Sequence, residues 1–568
     1  MREQGIAIIG MGCRFPGGVN DAEALWKMLA EGREVVSEIP ADRWNIERFY
    51  DAEPGIAGKS IAKRGGFIEG LDQFDPQFFG ISPREAPYVD PQQRLLLETA
   101  WEAMEDAGVV LDLEKGTDIA VFVGVSHNDY QIIQGTPWDS SGISPHSPTG
   151  SAHSIAANRI SYCFNLTGPS IAMDTACSSA LTAVHVACDH IRAGRCTTAL
   201  AGGVTIMITP GGFIGFSQAS MLSPDGHCKA FDASANGFVR GEGAGMVMLK
   251  SLSQAIADGD PIHAVILGTS VNQDGHTNGI SLPSPEAQAR LVRDACIDAG
   301  IDPSEIGFVE AHGTGTAVGD PIEAHALAEA LCATRKEPLA MGSVKSNLGH
   351  LETAAGIVGL VKAVMVVKRG QIPASLHFET PNPNINFDEL KLRIPTSLEP
   401  FPDTYARRMV GVNSFGFGGA NAHVIIAEAP AQAPAPKQPK PTGERAWPLM
   451  ISARSEDALK ASAARLSEWI DEHSQSNGKS PMLPDLAYTL GDRRNHHAYR
   501  LTLVSKTTGD AVQELAGFAA GEQGKARTSF TPRPEHAPRV GFVMSGQGPQ
   551  WWGMGRELMA NEPVFRKV

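Results

Sequence analysis

Apolar runs of strand length alternate with helix-length segments along most of the chain, and they do so twice. In the first series GIAIIGMGC (5–13) predicts a strand ending in a glycine turn, 22–32 a helix, and DPQQRLLLETAWEAMEDAG (90–108) an amphipathic helix with a glycine stop. IAVFVGVS (119–126) and SIAMD (170–174) read as buried strands, and TTALAGGVTIM (197–207) and GMVMLK (245–250) as two more. A helix apolar on nearly every face starts at Cys177 and runs through Ile191. The second series opens with the strand IHAVILGTSVN (262–272) and a helix near 285–299. It continues through IGFVEAHGTGT (306–316), a helix over 321–333, LAMGSVKSNLGH (339–350), a helix over 352–370 and MVGVNSFGFGGANAHVIIAEA (409–429). Two runs built to one plan predict a duplicated α/β core.

Between these elements, 40–90 is loop-rich with many aromatic residues, and 127–152 and 208–245 are polar or glycine-rich, as loops around a cleft would be. Residues 429–446 are rich in Pro, Ala and Lys, the composition of a stiff linker. Beyond it, strands at PLMISAR and YRLTLVS alternate with helices and predict a small α/β subdomain within 447–535. Inside its end, PRPEHAP reads as a second linker. RVGFVMSGQGPQWWGMGREL then predicts a strand, a glycine-rich turn and a helix within 536–568.

The 568 residues carry a net charge of −15, which argues against a nucleic-acid protein. Eight cysteines without a CxxC pair or a regular framework read as reduced thiols, so neither disulfides nor a metal site are expected. The N-terminus lacks the apolar core and cleavage site of a signal peptide, and no stretch approaches a membrane span. A cytoplasmic location is the expectation. Two nucleotide-loop patterns fail on inspection: Gly10 and Gly12 are followed by Phe15 where a third glycine is needed, and Gly58-Lys59-Ser60 has Glu53 where its first glycine should stand.

Cys177 is the cysteine with a strand–nucleophile–helix setting. Unpaired N–H groups and the positive end of the helix dipole would favour its thiolate, although a small core cysteine is the plainer reading of any one such residue. His312 and His350 lie in glycine-flanked turns where a substrate backbone can approach, and a neutral imidazole there suits polarising a thioester carbonyl. Lys345 precedes His350 in the same loop and would set its protonation. Thr314 and Thr316 offer hydroxyls to an amide-bearing arm. Asn413 to Gly419 either supplies an N–H to an oxyanion hole with an aromatic gate, or its phenylalanines are plain core.

DTACSSAL, EAHGTGTAVGDPIEA, KSNLGHLETAAG and NSFGFGGANAH, in this order and spacing, resemble the β-ketoacyl synthase domain of type I polyketide synthases over residues 1–428. The resemblance implies the thiolase fold, two βαβαβαββ halves in a five-layer αβαβα sandwich, as a homodimer. It implies that 447–535 is the linker subdomain between ketosynthase and acyltransferase. It also implies that 536–568 begins an acyltransferase, with Gln547 near its oxyanion hole. That enzyme's GHSxG motif does not occur in this sequence, so an excised piece of a multidomain synthase is expected, working with the synthase's remaining domains.

By the same resemblance, Cys177 takes an acyl chain from the phosphopantetheine of an acyl carrier protein, with no permanently bound cofactor. The N–H groups of Cys177 and Phe415 bind the oxyanion, and Phe415 is also the gate. His312 and His350 stabilise the enolate formed as a malonyl-type extender loses carbon dioxide. Thr314 and Thr316 hold the pantetheine, and Lys345 with Glu323 support the histidines. A fatty acid synthase shares these motifs, and a silent dimerising scaffold is the non-enzymatic alternative. Lys59, Lys63, Arg64 and the arginines near 493–500 are candidates for docking an acidic carrier.

Overall fold

The computed structural model describes residues 5–136, 138–431, 445–476, 482–531, 541–544 and 546–568. Most of the expected 429–446 linker and all of PRPEHAP therefore lie outside the described residues. Two compact units result, Met1–Ala107 with Leu111–Ala429, and Gly108–Val110 with Pro430–Val568.

The first unit repeats one topology. Its N-terminal half runs β1 (Ile6–Arg14), α1 (Pro91–Asp106), β2 (Ile119–Gly124), α2 (His153–Phe164), β3 (Ser170–Met173), α3 (Ser179–Arg192), β4 (Thr198–Thr205) and β5 (Gly243–Ser251). Its C-terminal half runs β6 (Ala264–Gln273), α4 (Pro285–Ala299), β7 (Phe308–Glu310), α5 (Gly319–Leu331), β8 (Leu339–Gly342), α6 (Ala355–Arg369), β9 (Met409–Phe415) and β10 (Ala420–Glu428). Strand order is β1-β5-β4-β2-β3 in one half and β6-β10-β9-β7-β8 in the other. In both, the first two pairings are antiparallel and the last two parallel. The halves join where β1 pairs antiparallel with β6, Ile6 opposite Ile266, into one continuous sheet.

The layers follow from which faces are apolar. Helices α1 and α2 cover the outer face of the first half, α4 packs on the outer face of the second with α5 against it, and α3 and α6 meet in the middle. A helix between two sheets must be apolar all round, and every residue of α6 from Ala355 to Val367 is buried. Gly356 lets α6 approach α3, since a Cβ there would lie 2.6 Å from Leu181 Cγ. This is the αβαβα thiolase fold.

Two local expectations need correction. SIAMD is not buried: β3 is the outermost strand beyond β2, and Ile171 is 42% exposed. Apolar composition alone does not distinguish a central strand from an edge strand. The helix after it begins at Ser179, so Cys177 lies ahead of the first turn and not within it.

The second unit builds an antiparallel sheet from β11 (Trp447–Ala453), β12 (Tyr499–Ser505) and β13 (Arg527–Phe530). Helices α7 (Glu456–Ser476), α8 (Leu483–Asp492) and α9 (Thr508–Ala519) close its core around Leu449, Leu459, Ile470, Leu501 and Leu515. The strand predicted across RVGFVM is not formed over 541–544, where no neighbouring strand among the described residues takes up its backbone groups.

One ion pair sits inside the first unit's core. Lys362 Nζ on α6 lies 2.5 Å from Glu310 Oε2 on β7, with both side chains almost fully buried, and Glu310 Oε1 accepts the Val344 N–H at 2.7 Å. The lysine approaches off the hydrogen-bonding direction, so the contact is mainly Coulombic. Lys362→Ala strands a buried carboxylate and is expected to cost about 3–5 kcal/mol. Pairing Lys362→Met with Glu310→Gln is expected to recover most of that loss, as urea denaturation of both variants will show.

Candidate active site

The backbone bends sharply before Cys177. Ala176 takes φ 54°, a left-handed conformation costly for a residue with a Cβ, and its neighbours hold it there. Ser179 Oγ donates to the Ala176 carbonyl at 2.6 Å and accepts the Thr175 N–H at 2.8 Å, while Ser414 Oγ donates to the Cys177 carbonyl at 2.7 Å. The thiol is thereby projected into a cavity of about 410 Å³, which His312, His350, Thr314, Thr316 and Phe415 also line.

The two halves contribute equivalent positions. Cys177 stands between β3 and α3, and His350 stands between β8 and α6, the corresponding strand and helix of the second half. His312 follows β7. The imidazole rings of His312 and His350 lie 5.2 Å apart, nearly perpendicular at 86°.

Backbone hydrogen bonds select the tautomer of both histidines. The Phe415 N–H donates to His312 Nδ1 at 3.3 Å, and the Glu352 N–H donates to His350 Nδ1 at 3.1 Å. A nitrogen that accepts carries no proton, so each neutral ring bears its hydrogen on Nε2. Both rings stay neutral because burial disfavours the cation and the Lys345 charge repels it. His312 is held well below its ordinary range and His350 is brought to about 3.

The supporting residues surround this pair. Glu323 accepts the N–H groups of His312 at 2.7 Å and Gly313 at 2.8 Å, and the Asn413 amide at 2.8 Å. Lys345 is 3% exposed, and burial lowers its pKa against the pull of Glu310 and Glu323. Thr314 and Thr316 place their hydroxyl oxygens 3.1 Å apart. The structure thus brings together Cys177, His312, His350, Thr314, Thr316, Glu323 and Lys345.

The assignment of Phe415 changes. Its N–H is committed to His312, and the backbone N–H groups that favour charge on the Cys177 sulfur are those of Phe417 and of Cys177 itself. Phe417 is also the more exposed residue, 52% against 7% for Phe415, with its ring edge-on at 6.0 Å from that of Phe216. The turn after β9 reverses the chain, so alternate residues of the FGF triplet serve different neighbours. Among the docking candidates, Lys59 donates to the Arg48 carbonyl, Lys63 pairs with Glu38 at 3.2 Å and Arg64 donates to the Val36 carbonyl.

Glu352, Arg240 and His127 escaped the sequence reading. Glu352, at φ 46°, aims its N–H at His350 while its carboxylate is clamped by Arg240 and by His127 Nε2 at 2.6 Å. The ion pair with Arg240 holds that carboxyl far below the usual carboxylate range despite burial. The available signal for Glu352 and Arg240 was charge inside two otherwise small and apolar segments, one charged residue in HLETAAG and two in GFVRGEGAG.

Known protein families match most of the chain, and the third profile takes in β9 and β10 together with part of the second unit. Residues 3–255 match the family profile "Beta-ketoacyl synthase, N-terminal domain", 263–379 its C-terminal domain, and 381–500 "Ketoacyl-synthetase C-terminal extension". A ketosynthase from module 6 of the bacillaene synthase of Bacillus subtilis 168 is 36% identical, with a TM-score of 0.82 over 93% of this chain and 87% of its own. An oxazolomycin ketosynthase domain from Streptomyces albus JA3453 is 36% identical, with a TM-score of 0.85 over 95% of this chain and 92% of its own. The chain belongs to the β-ketoacyl synthase family. As a ketosynthase of the polyketide synthase type it is an acyl-transferring enzyme that forms carbon–carbon bonds. Phenolphthiocerol/phthiocerol polyketide synthase subunits A and B of Mycobacterium tuberculosis are 45% and 44% identical over 99% of this chain, which spans 30% and 36% of their lengths.

The ketosynthase cysteine departs from the expectation of a thiolate. Burial pushes the Cys177 thiol up to about 12 and the Glu352 carboxylate adds to this, against the Phe417 N–H and Lys345. Raising the pH therefore increases the reactive thiolate without saturating it near neutrality. Iodoacetamide labelling of Cys177 is expected to accelerate about tenfold per pH unit from 7 to 9.5. A plateau below pH 8, read by intact mass, would instead favour control by the helix dipole.

Proposed function

We propose that the chain performs the decarboxylative condensation of a polyketide synthase, with Cys177 as acyl acceptor and His312 and His350 as paired donors to the extender. One observation carries this reading. Backbone N–H groups occupy both Nδ1 atoms, leaving two neutral Nε2–H donors beside one thiol. That suits a carbonyl becoming an enolate, because neutral donors stabilise the developing oxyanion without protonating the carbon nucleophile.

In the first half-reaction Cys177 sulfur attacks an acyl thioester on the phosphopantetheine of an acyl carrier protein. The new carbon–sulfur bond forms, the old one breaks, and the thiol proton leaves with the pantetheine sulfur. The Cys177 and Phe417 N–H groups serve the intermediate oxyanion, in place of Phe415. Thr314 and Thr316 hold the pantetheine amides. In the second half-reaction a malonyl-type thioester accepts hydrogen bonds from His312 and His350 and loses carbon dioxide. Its carbanion attacks the acyl–Cys177 carbonyl, and the cysteine sulfur departs and is reprotonated. Glu323 and Lys345 keep His312 in place and both rings neutral.

The carrier protein and further synthase domains are the partners this reading requires, working in the cytoplasm. Among the described residues no helix is long and apolar enough to cross a membrane. The 447–535 segment takes the role of a linker subdomain, and 536–568 resembles the start of an acyltransferase. A second copy of the chain fits the open edge of β3, where Ile171 is exposed and Tyr162 on α2 is 86% exposed. An unpaired strand edge with apolar residues calls for a partner strand.

Cys177→Ala is expected to abolish acyl transfer to the protein while leaving measurable malonyl decarboxylation. His312→Ala and His350→Ala are expected to lower decarboxylation about 10²–10³-fold with a smaller effect on acylation. Intact-mass acylation and carbon dioxide release separate the two, and full condensation by Cys177→Ala would overturn the assignment. For the dimer, Ile171→Lys is expected to shift sedimentation from two copies to one, and an unchanged dimer would place the interface elsewhere.

A further inference from the structure

Three side chains that the condensation leaves unused converge on one carboxylate oxygen. Glu34 Oε1 lies 2.8 Å from His227 Nδ1 and 3.2 Å from His377 Nε2. One ligand atom from each residue falls within 4.8 Å of the others, and the two imidazole centroids are 4.5 Å apart. The residues come from distant segments. Glu34 follows the helix Ala22–Ala30, His227 precedes β5 and His377 follows α6. None of them lines the condensation cavity.

The cluster has the features of a ligand set. His377 is held at φ 60°, a conformation that its surroundings must enforce. Its Nε2 is buried without a well-directed hydrogen bond, although Glu34 stands close. Side-chain exposures of 19%, 32% and 27% leave a path from solvent and room for water as a further ligand.

We propose that Glu34, His227 and His377 bind a divalent transition-metal ion of borderline softness, Zn²⁺ foremost. Two imidazoles and a carboxylate with a fourth position open to water is an established zinc arrangement. Metal–ligand bonds of about 2.0–2.1 Å at tetrahedral angles separate donor atoms by roughly 3.3 Å, close to the spacing already present here. No cysteine takes part, so the cysteine pattern of the sequence carried no sign of it.

Arg64 sets the affinity. Its Nη1 lies 3.3 Å from His227 Nε2 and can only donate, so the unloaded ring carries its proton on Nδ1 toward Glu34. When Nδ1 takes the ion, that proton passes through solvent to Nε2 and the ring's charge does not change. Arg64 Nη1 must then swing away, while Nη2 keeps its 2.9 Å bond to the Val36 carbonyl. Bound zinc would join three segments, including the one that leads on to Phe238, whose ring packs 5.2 Å from that of His350. The site is therefore a staple behind the catalytic wall.

Zinc analysis after equilibrium dialysis of the untagged, chelator-stripped full chain tests this. One equivalent is expected to bind at micromolar free Zn²⁺, and an excess of about a hundredfold over Kd is expected to raise the melting temperature by several degrees. Glu34→Gln, His227→Gln and His377→Gln are each expected to weaken binding at least about tenfold and abolish the shift. Arg64→Gln is expected to tighten binding, because its amide oxygen accepts the Nε2–H. That readout holds even if a histidine variant does not fold. No zinc on the wild-type chain at ~100 µM, or equal affinity in the folded ligand variants and Arg64→Gln, would overturn the proposal.

Discussion

The close packing of two buried helices is the constraint on which the rest depends. Helices α3 and α6 lie between the two half-sheets with Leu181 set over Gly356. Each helix follows a strand of its own half, and the two connections bring Cys177 and His350 into one cavity. A side chain at Gly356 would drive the helices apart, and the two halves of the site with them. The repeated topology supplies two equivalent strand-to-helix junctions, and in the proposed function one carries the nucleophile and the other a hydrogen-bond donor.

Around that junction the protein buries several charges, each held by specific partners. Lys362 meets Glu310, Arg240 and His127 meet Glu352, and Glu323 binds two backbone N–H groups beside His312. Burying ions is costly, and such pairs are weak devices for stability. Here they orient neutral groups. Glu323 holds the His312 backbone, Glu352 turns its own N–H onto His350, and burial together with Lys345 keeps both rings from protonating. In the proposed reaction the donors are uncharged, and the charges hold them in place.

Cys177 illustrates a competition between two effects. A position just ahead of a helix favours thiolate by a modest electrostatic contribution, whereas removal from water disfavours any charge more strongly. Burial wins, and Glu352, needed for His350, adds to it. In the proposed reaction the same enclosure would keep water from an acyl thioester and from a carbanion. A neutral resting thiol is consistent with an enzyme that must accept an acyl group and hold it without hydrolysis.

Much of the protein was legible in the chain because its signals are local. Strand and helix periods repeat twice in the same order, and that alone predicted the duplicated core. Glycines around His312 and His350, and the abrupt junction at Cys177, marked residues that need open backbone and close approach. Other features depend on contacts between residues far apart in sequence. SIAMD looks like a core strand, and only its place at the end of the sheet leaves Ile171 exposed. Phe415 and Phe417 are equivalent by composition, and the direction of the turn after β9 decides which N–H meets His312 and which meets Cys177. Glu352, Arg240 and His127 come together from positions more than 100 residues apart, as do Glu34, His227 and His377. The sequence by itself determined the fold class and singled out the candidate reacting groups, because periodicity and backbone freedom are properties of neighbours. The tertiary structure decided the protonation and orientation of those groups, because these are set by burial and by partners that only folding brings within hydrogen-bonding distance.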